Sequence, residues 1–250
     1  MPFTFAHPLY ALPLKFINPR HISAWGLVLG SMSPDFEYFL ALEPYQTIGH
    51  THQGLWLQAI PLSVLFVLVF SFVLRILAMH VPSVFQLDRK LYASLEPFEY
   101  RKVSSWILFL ITVVIGFYSH VFIDSFTHVS GSFARQERAL QQEIFQLPLY
   151  KWLQYSLSLL GLVAELLLVL WLVRNSVPAQ LPVTVQKRRK IHYWLVVIIT
   201  AAVVVSLKLA FTESTNIVGI LVVSSISGTI VGIVLASCLF NKYQQLRRLG

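Results

Sequence analysis

Apolar residues in this chain come in long blocks separated by short polar ones, and that pattern sets the architecture before anything else. A membrane-spanning helix needs about 20 mostly apolar residues. Five stretches qualify: roughly 55–78, 104–126, 155–173, 193–212 and 217–240. The first carries Pro61 near one end, where a spanning helix tolerates a kink. Glu213, Ser214, Thr215 and Asn216 join the last two stretches in a tight hairpin. Within the fifth, Ser224, Gly228, Gly232 and Ala236 recur every four residues. Small side chains in such a line let helix backbones approach closely, so this is a predicted packing seam.

The first 54 residues follow another pattern. Pro2, Pro8, Pro13, Pro19, Pro34 and Pro44 interrupt them. Residues 22–42 are apolar and nearly long enough to span, yet Ser33-Pro34-Asp35 sits in their middle and Glu37 follows. Carboxylates there would be costly in lipid. The expectation is that 7–42 forms two short helices folded back against the bundle as a re-entrant or interfacial element. The predicted fold is therefore all-α: a polytopic membrane helix bundle of about five spans plus an N-terminal helical pair. It is read as a single membrane domain over 1–250. Its motif-bearing half is 1–131, and 132–250 is a C-terminal helical half.

Composition agrees. Hydrophobic residues make up 56% of the 250 and charged residues 12%, with a mean hydropathy of +0.68. A soluble domain carries about twice that charge, and disorder needs the opposite balance. The single Cys238 excludes a disulfide scaffold. The net charge of +8 raises the question of nucleic acid. The basic residues, however, cluster between apolar runs (Arg89-Lys90, Arg101-Lys102, Lys187 to Lys190, Arg247-Arg248), and no aromatic–basic module is present. The expected partner is membrane lipid, not nucleic acid. Loops 75–103 and 174–192 with the tail 241–250 hold thirteen Lys and Arg; the opposite side holds five. The positive-inside rule then places the C-terminus in the cytoplasm and, with five spans, the N-terminus outside.

Ionisable residues at membrane depth are the informative ones. The densest group closes the second span, where His120, Asp124 and His128 are spaced by four and share a helical face. Two imidazoles and a carboxylate in line suit zinc, manganese or iron. His128 lies about 12 Å from His120 by helix rise, so joining one site requires a bend, a helix end or a second ion. A hydrogen-bonded His–Asp pair tying helices together is the plainer alternative. A second group, Gly49-His50-Thr51-His52-Gln53-Gly54, precedes the first span. His50 and His52 would diverge on a helix, so one of them is expected to be a ligand, with the choice left open. Asp35 and Glu37 form the third group and His7, before Pro8, the fourth. All four fall on one predicted side of the membrane. Glu165, in the middle of the third span, is as readily structural as functional, and Lys208 can snorkel to the surface.

Four motifs carry a resemblance. They are Met1-Pro2-Phe3-Thr4-Phe5-Ala6-His7, Gly30-Ser31-Met32-Ser33-Pro34-Asp35-Phe36-Glu37-Tyr38, the His50–Gly54 turn, and Ser119-His120 through Asp124 to Thr127-His128. Over 1–131 the chain resembles a bacterial membrane family known mostly as a domain of unknown function. That family is distantly similar to inner-membrane metal-dependent hydrolases and to the helical zinc phospholipase C fold. The resemblance implicates His7, Asp35, His52, His120 and Asp124 as ligands, with His128 matching the nearer family alone. The chain departs at Glu37, where the hydrolases have Asp, and at Gln53, where they have Ser. It implies a metal-dependent hydrolase of the bacterial inner membrane holding one or two divalent ions, zinc foremost. Asp35 or Glu37 would act as general base, and Arg135 and Arg138 would meet an anionic head group. The expected substrate is a lipid phosphoester or other amphiphile at the outer face. Two other classes stay open: a metal- or proton-coupled transporter, and a non-catalytic membrane protein with a structural metal.

Overall fold

The computed structural model describes residues 3–246. Five helices are long and apolar enough to cross a membrane: His52–His80, Val103–Gln136, Leu149–Asn175, Lys187–Ala210 and Ile217–Asn241. The third and fourth expose large apolar side chains along much of their length, among them Leu159, Leu166, Leu167, Ile198 and Ile199. Patches of that size are tolerated against lipid tails, not against water. The fold is all-α; among the described residues the one β element is a hairpin pairing Glu143–Ile144 with Leu147–Pro148. Its turn residues Phe145 and Gln146 both have positive φ.

Two compact units make up the chain. One comprises residues up to Phe36, Thr47–Val67 and Phe98–Leu170; the other comprises Glu37–Gln46, Leu68–Pro97 and the chain from Trp171 onward.

In the first unit the N-terminal segment is broken into short helices by its prolines. Pro8 and Pro13 open Pro8–Ala11 and Pro13–Ile17 at positions where a missing N–H costs nothing. Ser23 caps Ala24–Met32 by accepting from the Gly26 N–H. At nine residues that helix is too short to span. It lies against the second spanning helix at backbone contact. A Cβ on Gly26 would strike Thr112, one on Gly30 the Val113 carbonyl, and one on Gly116 the Leu27 carbonyl and the Ser31 nitrogen. Glycine on both partners is what permits this approach. Ahead of Pro61 the first spanning helix widens into a π-helical turn, Leu55–Ala59. Proline lacks the N–H that an ordinary turn would use and crowds the preceding carbonyls, so the wider turn relieves it.

The second unit is built on the seam between the fourth and fifth spans. A Cβ on Gly228 would come 2.9 Å from the Ala201 Cα, and one on Gly232 would come 2.8 Å from the Val197 carbonyl. Ala236, Val197 and Tyr193 continue the contact into a buried cluster with Ile76 and Met79. The expected packing seam is present. The fourth helix begins at Lys187, earlier than the apolar pattern suggested, because its basic first turn is helical too. Lys208 pairs with Glu43 at 2.8 Å.

Candidate metal centre

Four segments of the first unit bring ligand atoms to one place. His7 ends the first short turn, Asp35 closes the 3-10 turn Ser33–Asp35, His50 precedes the first span, and His120, Asp124 and His128 come from the end of the second. Two triads, His7–His120–Asp124 and Asp35–His50–His120, each offer one ligand atom per residue, all within 4.8 Å of one another.

The spacing is that of ligands. His50 Nε2 lies 3.1 Å from His120 Nε2, 3.1 Å from Asp124 Oδ2 and 3.5 Å from Asp35 Oδ1. His120 Nε2 lies 3.2 Å from Asp124 Oδ2 and 3.7 Å from Asp35 Oδ1. Around an ion bound at about 2.0–2.1 Å, tetrahedral ligands stand about 3.3 Å apart. These five separations fall near that value. The other Asp124 oxygen, Oδ1, faces His7 Nε2 at 3.5 Å and His128 Nδ1 at 3.4 Å. Asp124 thus presents one oxygen to each of two histidine sets.

His128 joins by way of a helix end. Within the second span, Val103–Gln136, the long helix stops at Thr127 and His128 takes extended backbone, φ −118° and ψ 146°. That departure swings its ring back toward Asp124, where a straight helix would carry it a further turn away. Gly131 then turns the chain against the Ser125 carbonyl, and Phe126 stacks on Phe133 with centroids 4.3 Å apart.

Neighbouring groups fix the orientation of the ligands. His120 Nδ1 donates to the Ser31 carbonyl at 2.6 Å, which leaves Nε2 as a bare lone pair facing the cluster. The glycine-tight packing of Ala24–Met32 is what brings that carbonyl within reach. Thr4 donates to Asp35 Oδ2 at 2.6 Å, turning Oδ1 inward. The His7 ring stacks on His120 at 3.6 Å. Burial and the adjoining His120 imidazole hold His7 well below its ordinary pKa, so at neutral pH it is an uncharged imidazole able to ligate. Burial pushes the Asp35 carboxyl above the usual carboxylate range, against the pull of His120 and His50.

The cluster is also unfinished. Seven buried side-chain N or O atoms among the described residues lack a hydrogen-bond partner; six of them are His7 Nδ1 and Nε2, Asp35 Oδ1, His50 Nδ1, Asp124 Oδ1 and His128 Nε2. Orphaned buried polar atoms are rare in folded proteins because each costs about 1–3 kcal/mol. Three of these six, His7 Nε2, Asp35 Oδ1 and Asp124 Oδ1, face the other ligand atoms and fit a divalent cation.

The expected residues do not all converge. His52 is turned outward: its Nδ1 lies 2.8 Å from the Tyr118 hydroxyl and the side chain is exposed. His50 occupies the inward position instead. The cause is Thr51, whose side chain caps the helix by accepting from the Gly54 N–H; the helix begins at His52 and rotates it away, while His50 sits ahead of the cap. Glu37 belongs to the second unit and to neither triad. Arg135 and Arg138 are exposed, and Arg135 Nε bonds the Val129 carbonyl. Thr4 and the Ser31 carbonyl were not foreseen. Both residues stand in the motifs quoted above, but their orienting roles depend on packing between segments. Glu165 proves to hold the N-terminal segment. It accepts from the Leu9 N–H at 2.8 Å, while Ser158 receives the Phe3 N–H and the Leu157 carbonyl receives the Tyr10 hydroxyl.

Residues 1–238 match the family described as Domain of unknown function (DUF4184), and the chain belongs to that family. No curated protein and no solved structure matches it.

Proposed function

We propose that the protein is a membrane-embedded, metal-dependent hydrolase acting on a lipid phosphoester or related amphiphile at the outer face of the membrane. The observation that carries this reading is the pair of buried His–Asp triads, drawn from four chain segments and spaced for coordination, in which His7 Nε2, Asp35 Oδ1 and Asp124 Oδ1 lack hydrogen-bond partners. Zinc suits the donor set of imidazoles and carboxylates. One ion would lie among His50, His120, Asp35 and Asp124; a second would use the other Asp124 oxygen with His7 and His128. Bound zinc supplies a nucleophile at neutral pH by lowering the pKa of a coordinated water to about 7.

The chain's own residues do the rest. His50 and His128 are the members with open surface, 15% and 20% of their side chains, so a reacting group would enter between them. Asp35, its Oδ2 held by Thr4, would accept the proton released there where His50, His120 and Asp124 alone hold that ion. Arg135, on the short helix that follows His128, meets the anionic head group together with Arg138. Exposed Trp56, Leu57 and Phe122 on the two spans that bear these ligands accommodate an acyl chain.

The test is metal content per chain after gentle extraction, followed by turnover of a chromogenic phosphodiester in lipid nanodiscs. Stoichiometric zinc, with turnover that is lost in chelator and restored by the ion, supports the reading. Protein that purifies without metal and takes none up would sink it. Bound metal with no exchangeable water and no turnover of any phosphoester would leave a structural ion and end the hydrolase proposal. Metal flux into proteoliposomes without product would point to a carrier.

A further inference from the structure

The second unit has a cleft of about 680 Å³, within the size range of small-molecule sites. Its walls are apolar except at one end. From the fourth spanning helix come Lys187, Ile191, Leu195 and Ile198, spaced so that they form one stripe. The stripe runs about 16 Å from the first helical turn into the apolar part of the span. It faces away from the seam that Tyr193 and Val197 bury. Opposite it stand Pro82 and Val84.

Charge at the mouth breaks a local rule. Lys187, Arg188, Arg189 and Lys190 occupy the first turn of a helix, where the macrodipole is already positive and cations are disfavoured. Lys190 is matched within the protein. It is buried, and its three protons go to the Val81 carbonyl, Ser83 Oγ and Asp88 Oδ2 at 2.7, 2.8 and 2.7 Å. Lys187 and Arg188 are exposed and form no ion pair with any described carboxylate. Gln186, before them, adds no side-chain cap. Lys187 at the rim, Arg188 beside it in the same turn and the positive end of the helix therefore surmount an apolar trough, and an anion is the missing element. The adjoining loop is apolar as well as exposed: Val84 is 61% and Phe85 92% accessible, with Phe85 and Gln86 in left-handed backbone that turns the ring outward. An exposed phenylalanine beside basic residues, at the end of a span, fits the head-group layer of a bilayer.

We propose that this cleft is a binding site for an anionic phospholipid, its phosphate at Lys187 and Arg188 and an acyl chain along Ile191, Leu195 and Ile198. The occupant is a bilayer lipid, because a free phosphate would leave the apolar trough unfilled. The site is independent of the histidine cluster.

Trp194 lines the cleft and reports on it. In nanodiscs carrying acyl-brominated phosphatidylglycerol, quenching of the Trp194 component should exceed that with brominated phosphatidylcholine; Trp194→Phe identifies that component among the six tryptophans. Each interfacial cation contributes roughly fivefold to anionic-lipid preference. Lys187→Gln with Arg188→Gln should therefore reduce the preference by about 25-fold while quenching by phosphatidylcholine persists. Millimolar inorganic phosphate should not restore fluorescence. Should Trp194→Phe disturb folding, native mass spectrometry of the wild type and the exposed double variant serves instead, counting retained anionic lipids. Equal quenching by both lipids, a preference unchanged in the double variant, or displacement by phosphate would each overturn the proposal.

Discussion

Two buried polar clusters can be set side by side in this molecule, one in each unit. In the second unit, Lys190 gives three hydrogen bonds and Asp88 also receives Ser83 Oγ and the Arg89 N–H. Every proton has an acceptor and the charges cancel. In the first unit, four histidines and two carboxylates crowd to similar distances yet leave six atoms without partners. Both clusters are removed from water, where unpaired polar groups are expensive. The difference is completeness. A cluster that satisfies itself is accounted for by holding the fold; one that does not requires something from outside. The second pattern, not burial itself, marks the candidate site.

Removing one carboxylate from each cluster should separate them most sharply. Asp124→Asn takes a charge from the residue that faces both histidine sets. It should abolish metal retention and leave folding intact, since the same substitution relieves unpaired carboxylate. Metal analysis beside a thermal melt in chelator checks this; full metal occupancy in the variant would remove Asp124 from the site. Asp88→Asn should do the reverse. It strands a buried lysine, a loss of about 3–5 kcal/mol for a broken buried pair, with metal content per folded chain unchanged. A variant as stable as wild type would mean that the ion pair holds nothing together.

The third span offers a finer contrast. Glu165 reaches the cluster only by accepting the Leu9 N–H two residues after His7. Glu165→Leu should weaken metal binding by about 10- to 100-fold, the usual effect of losing a group that orients a ligand. Glu165→Gln keeps an acceptor oxygen and should restore most of the affinity. Equal loss in both variants would show that charge, not positioning, is what Glu165 supplies. Within the turn before the first span, His50→Ala should lower metal affinity and His52→Ala should not; the opposite outcome would contradict the inward placement of His50.

Much of this contrast was legible in the sequence, and what was not has identifiable causes. Apolar block length located the spans because lipid demands it. The fourth began early, at Lys187, because hydropathy reports the edge of the apolar layer and not the end of the helix. His120 and Asp124 followed from four-residue spacing. His128 required a helix end, which the spacing named as one of three options. The choice between His50 and His52 turned on where a helix starts, and that is set by Thr51, a weak signal beside Gly54. Thr4 and the Ser31 carbonyl, which orient Asp35 and His120, arise from glycine-to-backbone packing between distant segments. The completeness of the Asp88–Lys190 pair was equally hidden, since a lysine in a basic run reads as a solvated charge.

The smallest effect concerns pH, and it isolates the complete cluster. Burial alone would raise the Asp88 carboxyl, but the hydrogen bond from Lys190, with Ser83 and the Arg89 N–H, outweighs it and holds the group below its ordinary value. A group depressed in the folded state contributes its full stability above the unfolded pKa of about 3.9 and loses it as pH falls through the folded value. The wild type should therefore keep a constant advantage over Asp88→Asn from neutrality down to about pH 5. That advantage should shrink progressively as the pH falls below 4. Melting both proteins in chelator removes any contribution from metal. A difference that stays flat to pH 3 would mean that the carboxyl is no more acidic folded than unfolded, and one that grows on acidification would mean that folding favours its neutral form. The Asp88–Lys190 contact would then hold by hydrogen bonding alone.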